Sequence, residues 1–82
     1  MQVIISTAKK TEVYKGCHAV TLRGSNGHFQ ILPDHKNFIA LLLKGSVYVT
    51  RSDKSVKDHA ITAGSVLCFD HERSTCRVMT GG

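Results

Sequence analysis

The fold of this chain is most constrained by short runs rich in valine, isoleucine and threonine, separated by clusters of glycine, asparagine, aspartate and serine. The runs recur roughly every 8–12 residues, which is typical of β-sandwiches and β-barrels. In the run 19–23, Val20 and Leu22 fall on one face of a strand and the polar side chains between them fall on the other. Val47 and Val49 repeat the pattern. Because side chains alternate faces along a strand, these runs predict half-buried strands.

The whole chain is predicted to form one all-β domain, residues 1–82, an antiparallel β-sandwich of about eight to ten short strands. The candidate strands are 3–5, 11–15, 19–23, 28–32, 38–43, 46–50, 56–62, 65–69 and 75–80. No long segment combines a helical period with helix caps. Polar hairpin tips are expected at 51–55 and 70–74. Pro33 ends the fourth strand, because proline has no N–H to give to the ladder.

The composition indicates an intracellular protein. No apolar run approaches the roughly 18–20 residues that cross a bilayer, and the N-terminus lacks the basic stretch and cleavage site of a signal peptide. We therefore expect a cytosolic chain whose membrane association comes only through a partner. Three cysteines, Cys17, Cys68 and Cys76, make an odd count without Cys-x-x-Cys spacing, so reduced thiols that fill small gaps are expected.

The histidines and carboxylates do not have the spacing of a metal centre or a catalytic site. Structural zinc sites bring ligands in close pairs, whereas Cys17 and His18 are adjacent and point to opposite faces of a strand. His59 and His71 are expected near hairpin tips. The acidic residues also fall on predicted tips, namely Asp53, Asp58, Asp70 and Glu72. The chain has no nucleophile elbow, phosphate-binding glycine loop or His-Glu-x-x-His motif, so no metal, cofactor or catalytic residue is predicted.

A basic balance keeps one alternative function open. Lysine and arginine outnumber aspartate and glutamate by 11 to 6, which gives a formal net charge of +5. A small basic β-domain could bind RNA or DNA. Such a domain needs aromatic rings interleaved with basic residues so that bases can stack, and no lysine or arginine lies within four residues of Phe29. We therefore predict no nucleic-acid partner. Binding of RNA or DNA by a small basic β-domain is kept as the alternative function.

The stretch from Gly24 to Gly45 carries the most specific signal. Its Gly-Ser-Asn-Gly cluster, 24–27, predicts a tight hairpin turn. It continues with Ile31-Leu32-Pro33, then His35, then an apolar run from Phe38 that ends before a glycine. This order resembles the signature of the epsilon subunit of F-type ATP synthases, and further similarity in the first strand, the 63–64 turn and the last strand extends it over nearly the whole chain.

The resemblance implies a non-catalytic subunit that grips the gamma subunit and rests on the c subunits of the membrane rotor ring. Positions similar to the gamma-facing residues of the family are Ser6, His35 and Ala40. The rotor-ring contact corresponds to Gly27 and His28. The turn-shaping positions are Gly24, Gly27, Pro33, Asp34 and Gly45. The implied location is peripheral, on the cytoplasmic side of the inner (plasma) membrane of a bacterium, without insertion into the membrane.

Three departures from the family pattern qualify this expectation. The family commonly has glycine where this chain has Asp34, and glycine reaches positive φ more readily than aspartate. Some members have an acidic residue where this chain has His28, so a hydrogen-bonded rather than ionic ring contact is expected. The family usually continues into a helical hairpin that can inhibit hydrolysis or bind ATP. The sequence stops at residue 82, so no nucleotide binding is predicted.

Overall fold

The computed structural model describes residues 1–24, 27–34, 36–42, 44–62 and 64–81. Within them the chain forms strands and turns, which confirms the predicted all-β class. The strands are β1 Gln2–Ser6, β2 Thr11–Tyr14, β3 Cys17–Gly24, β4 Gly27–Ile31, β5 Phe38–Leu42, β6 Gly45–Arg51, β7 Val56–Ile61, β8 Ser65–Asp70 and β9 Thr75–Met79. Each corresponds to one of the nine candidate runs. No helix among these residues is long and apolar enough to cross a membrane.

The strands form two sheets that pack face to face. Sheet A has the order β2-β1-β9-β8-β5, and sheet B has the order β4-β3-β6-β7. All pairs are antiparallel except β1 with β9, which run parallel. The N–H of Gln2 donates to the carbonyl of Ser74 at 2.8 Å, and the N–H of Thr80 donates to the carbonyl of Ser6 at 2.9 Å. The predicted antiparallel sandwich is therefore confirmed, with one parallel pair among the described strands, which joins the two ends of the chain.

The core lies between the sheets and consists of the inward-facing residues of the alternating runs. Val20, Leu22, Val47 and Val49 are buried as their period-2 pattern predicts. Fully buried side chains of sheet A oppose them, chiefly Val3, Ile5, Leu67, Phe69, Cys76 and Val78. Burial of these apolar surfaces is the main stabilising term for a domain of this size.

The hairpin tips are held by short polar contacts. In the β6–β7 tip, Lys54 takes a positive φ of 69°, and the carboxylate of Asp53 accepts a hydrogen bond from the N–H of Ser55 at 2.9 Å. In the β8–β9 tip, Ser74 has a φ of 48°. His71 lies in this second tip as expected. His59 and Asp58 do not lie at tips: both are within β7, paired with Val47 and Tyr48 of β6.

Candidate functional site

The outer face of sheet A is an apolar surface built by two rows of cross-strand neighbours. We call it face A. Its first row contains Val13, Ile4, Arg77, Cys68 and Ile39, and its second contains Thr11, Ser6, Met79, Val66 and Leu41. Most of these side chains are apolar, although they point away from the core. Natural monomers seldom expose such a patch without using it.

In the described part of the chain, the two most exposed large hydrophobic side chains lie on face A, at the edge strand β5. Ile39 is 75% exposed and Leu41 is 71% exposed. The side chain of Ala40, a predicted gamma-facing position, points the opposite way and packs against the core. Ile39 and Leu41 were not singled out from the sequence. The period-2 rule would have placed them outward only if the buried face of β5 had been known.

Ser6 lies at the other side of face A, half-buried at the end of β1. Its main-chain carbonyl accepts from Thr80, and its hydroxyl accepts from the hydroxyl of Thr11 at 3.5 Å. The hydroxyl of Ser6 therefore lies on face A. The third predicted gamma-facing residue, His35, lies outside the described residues, as do Ser25 and Asn26 of the predicted turn.

The predicted ring contact lies on sheet B, at the tip of the β3–β4 hairpin. Gly24 pairs with Gly27, and His28 pairs with Arg23 in the next register position. The side chain of His28 is exposed. Antiparallel pairing across this tip is consistent with the tight turn that the Asn-Gly pair predicts.

Gly45 supports this tip from the neighbouring strand β6, where it pairs with Gly24. A Cβ built on Gly45 would overlap the carbonyl oxygen of Arg23 and lie 2.6 Å from the Cα of Gly24. Only glycine allows the two strands to approach this closely. At the opposite end of β4, Pro33 and Asp34 form the turn toward β5, and among the described residues other than glycine only Lys54 and Ser74 have positive φ. The turn at Asp34 therefore does not require the conformation that favours glycine.

Face A and the β3–β4 tip meet at one end of the sandwich. Thr80, which binds the main chain of Ser6, also contacts Thr62 through their hydroxyl oxygens at 3.3 Å. Thr62 follows Ile61, the strand partner of Gly45. Hydrogen bonds and strand pairing thus connect face A to the β3–β4 tip through Thr80, Thr62 and Gly45.

A cross-sheet polar cluster holds the side of the sandwich farthest from β5. The Tyr14 hydroxyl donates to Glu12 Oε2 at 3.2 Å and lies 2.9 Å from His59 Nε2. His59 Nδ1 lies 3.5 Å from Glu12 Oε2. The cluster thus joins β2 of sheet A to β7 of sheet B. Sequence reasoning missed it because His59 is 45 residues from Tyr14; the only local signal was that Glu12 and Tyr14 share one face of β2.

Electrostatics explain the protonation states of this cluster. The Lys10 ammonium, 3.3 Å from Glu12 Oε1, holds the pKa of the Glu12 carboxyl below its usual range, assisted by the Tyr14 hydrogen bond. Burial raises the pKa of Tyr14, and the neighbouring Glu12 charge adds to that shift. The phenol therefore remains a donor at neutral pH. The cluster ties two sheets together, and a structural role accounts for all of its contacts.

Other chemistry is sparse in the described part of the chain. No three histidine, cysteine or acidic residues there could hold a metal ion. The three cysteines are free, and burial raises the pKa of Cys76 to about 12. The aromatic rings are engaged internally, through the contacts Tyr14–His59, Phe29–Phe38 and Tyr48–Arg23, while Phe69 is buried. A row of rings on which bases could stack is not formed.

The fold defines the class of protein: a small two-sheet β-sandwich domain with an apolar outer face and a glycine-supported hairpin tip. The sequence profile of the family described as "ATP synthase, Delta/Epsilon chain, beta-sandwich domain" matches residues 1–80. The chain belongs to that family, and the resemblance drawn from the sequence is confirmed.

Two relatives illustrate the similarity. The chain is 41% identical over 59 residues to the ATP synthase epsilon chain of Sulfurovum sp. (strain NBC37-1), covering 72% of this chain and 45% of that one. Its fold is similar to a chain in the cryo-EM structure of the Tetrahymena thermophila mitochondrial ATP synthase central stalk and c-ring. There the TM-score is 0.79 at 19% identity, covering 100% of this chain and 63% of that chain. The chain thus spans about half the length of the curated relative.

Proposed function

We propose that this chain is a non-catalytic central-stalk subunit of an F-type ATP synthase. It docks on the gamma subunit and on the c subunits of the membrane rotor ring, and so couples ion-driven rotation to ATP synthesis. Family membership supports the assignment. The observation that carries the docking role is face A, an apolar surface on a domain whose described residues hold no metal-ligating cluster.

The gamma subunit is proposed to bind on face A. Ser6 lies on this face, and Ala40 lies in the edge strand between its two most exposed apolar side chains. His35, which precedes the same strand, completes the proposed contact. Burial of Ile39 and Leu41 in an interface would supply the hydrophobic free energy that the isolated domain leaves unused.

The rotor ring is proposed to bind at the β3–β4 tip, through Gly27 and His28. A loop on a stiff scaffold is a common binding element. Gly45 allows β6 to lie close to β3 at the β3–β4 tip and so supports that tip. We propose that His28 makes a hydrogen-bonded contact rather than an ionic one. We propose that the subunit sits peripherally on the cytoplasmic side of a bacterial plasma membrane, and a bacterial relative supports that setting.

The gamma contact is tested by co-expressing the chain with the gamma subunit of the same enzyme and analysing the mixture by size-exclusion chromatography. We expect one co-eluting complex. Ser6→Arg on face A should abolish it. Thr21→Arg is the matched control, because Thr21 is equally half-buried and outward-facing but lies on sheet B. Failure to form the complex, together with oligonucleotide binding that falls steeply with salt, would refute the docking role.

The ring contact is tested by His28→Ala, with His18→Ala as control. Both histidines are exposed, and His18 lies at the far end of β3 from the tip. We expect His28→Ala to weaken binding to purified c-ring while the control leaves it unchanged. Equal binding by both variants would show that His28 is not part of the contact.

A further inference from the structure

The four edge strands of the sandwich are protected very differently. Edge strands expose unpaired main-chain groups, and proteins usually guard them with charged residues or proline. β2 carries Glu12, and β7 carries Lys57 and Asp58, whereas β4 has no lysine, arginine, aspartate, glutamate or proline. β5, Phe38–Leu42, has neither a charge nor a proline. Of these two unguarded edges, β5 carries the more exposed large hydrophobic side chains, Ile39 and Leu41 compared with Phe29 of β4. β5 is therefore the edge that would most readily accept another apolar strand.

The main-chain groups of β5 alternate between a paired and an open side. Within the described residues, β5 pairs only with β8. The carbonyl of Leu42 accepts a hydrogen bond from the N–H of Gly64, at 3.1 Å, on the β8 side. Since the N–H and C=O of one residue point the same way and those of the next residue point the opposite way, Ala40 faces β8. Ile39 and Leu41 then present their main-chain groups to the open edge.

The side chains of these same two residues give the open edge its specificity. Among the described residues, Ile39 and Leu41 are the most exposed large hydrophobics, and both lie on face A. A strand added beside them would place its own alternate side chains in line with them. Such strand addition takes affinity from the main-chain hydrogen bonds and selectivity from the alternate side chains.

We propose that β5 binds an extended strand of its docking partner, so that sheet A continues into that partner. The occupant is a peptide segment with apolar residues at alternate positions, because β5 offers main-chain donors and acceptors and no charge. The inference rests on the proposed docking to the gamma subunit. It deepens that proposal by specifying main-chain pairing rather than side-chain packing alone.

Residue-resolved hydrogen exchange on the complex with the gamma subunit gives the direct test. In the free chain the amides of Ile39 and Leu41 should exchange rapidly, while the amide of Ala40 is protected by β8. In the complex we expect slowing of at least about tenfold at Ile39 and Leu41. A complex that forms without this protection overturns strand addition but leaves the docking role intact. Failure to form any complex overturns both.

A pair of substitutions separates the main chain from the side chain. Leu41→Pro removes the outward N–H without removing a β5–β8 bond, since proline is tolerated on an edge when its missing donor faces outward. Leu41→Ala shortens the side chain and keeps the N–H. We expect Leu41→Pro to raise the Kd for gamma by about tenfold beyond Leu41→Ala. Equal Kd values would overturn the proposal, and circular dichroism verifies that both variants fold. If Leu41→Pro does not fold, the hydrogen-exchange result decides alone.

Discussion

Replacing Gly45 by alanine tests the close approach of β6 to β3, on which the β3–β4 tip depends. The added Cβ would overlap the carbonyl oxygen of Arg23 and reach 2.6 Å from the Cα of Gly24. Both obstacles are main-chain atoms, so the strands must separate. Overpacking typically costs about 1–3 kcal/mol, and a weakened ladder hydrogen bond adds about 1 kcal/mol. We expect a loss of about 2–4 kcal/mol in the free energy of unfolding.

Such a loss lowers Tm by about 10–30 °C for a domain of this size, which thermal circular dichroism and urea titration can measure. Two glycines provide controls. Gly64→Ala meets no atom within 4 Å, but its φ of +88° strains an alanine by about 1–2 kcal/mol. Gly81→Ala has 4.0 Å of clearance from Thr62 Oγ1, so its Tm should be nearly unchanged. If Gly45→Ala melts at or above the temperature of Gly64→Ala, the steric reasoning is wrong.

Three further predictions concern the polar cluster and the thiols. Tyr14→Phe removes the hydroxyl that bridges β2 to β7, so urea denaturation should show a loss of about 1–2 kcal/mol, and Tyr48→Phe on the outer face of sheet B should show almost none. Folding lowers the pKa of the Glu12 carboxyl, so the ionised carboxylate stabilises the folded state at pH values above the pKa of Glu12 in the unfolded chain. That stabilisation is lost as the pH falls through the pKa of Glu12 in the folded chain. Glu12→Gln should therefore lose less stability than the wild type between about pH 5 and pH 3, and parallel pH profiles of the two proteins would contradict this. At pH 8, iodoacetamide should modify the half-buried Cys68 at least about tenfold faster than Cys76, whose pKa burial raises to about 12; equal rates by peptide mass spectrometry would count against it.

Local patterns were sufficient for the elements of the fold. β3 and β6 are runs whose side chains alternate in polarity, and that alternation is a property of consecutive residues. Val20 and Leu22 could be assigned to the core because Thr21 and Arg23, which fall on the other face of the strand, are polar. The tips at 51–55 and 70–74 were equally readable, since the turn residues act over a few positions.

The candidate site was only partly readable from the sequence. The β3–β4 tip was predicted as a contact from the Gly24–Gly45 stretch, because that stretch resembles the signature of a known family. Ala40 was named as a gamma-facing position and stays a prediction; its side chain packs against the core, and the exposed residues of that strand are Ile39 and Leu41. In a run such as Phe-Ile-Ala-Leu-Leu every residue is apolar, so alternation gives no indication of which face is buried.

The sequence by itself therefore determined an all-β domain, its nine strands, part of its core and its family. The tertiary structure alone decided three things: the parallel pairing of β1 with β9, the Tyr14–Glu12–His59 cluster and the open β5 edge. All three depend on residues far apart in the chain. Strand order and the choice of a buried face result from packing two sheets against each other, and no local pattern of residues encodes that arrangement.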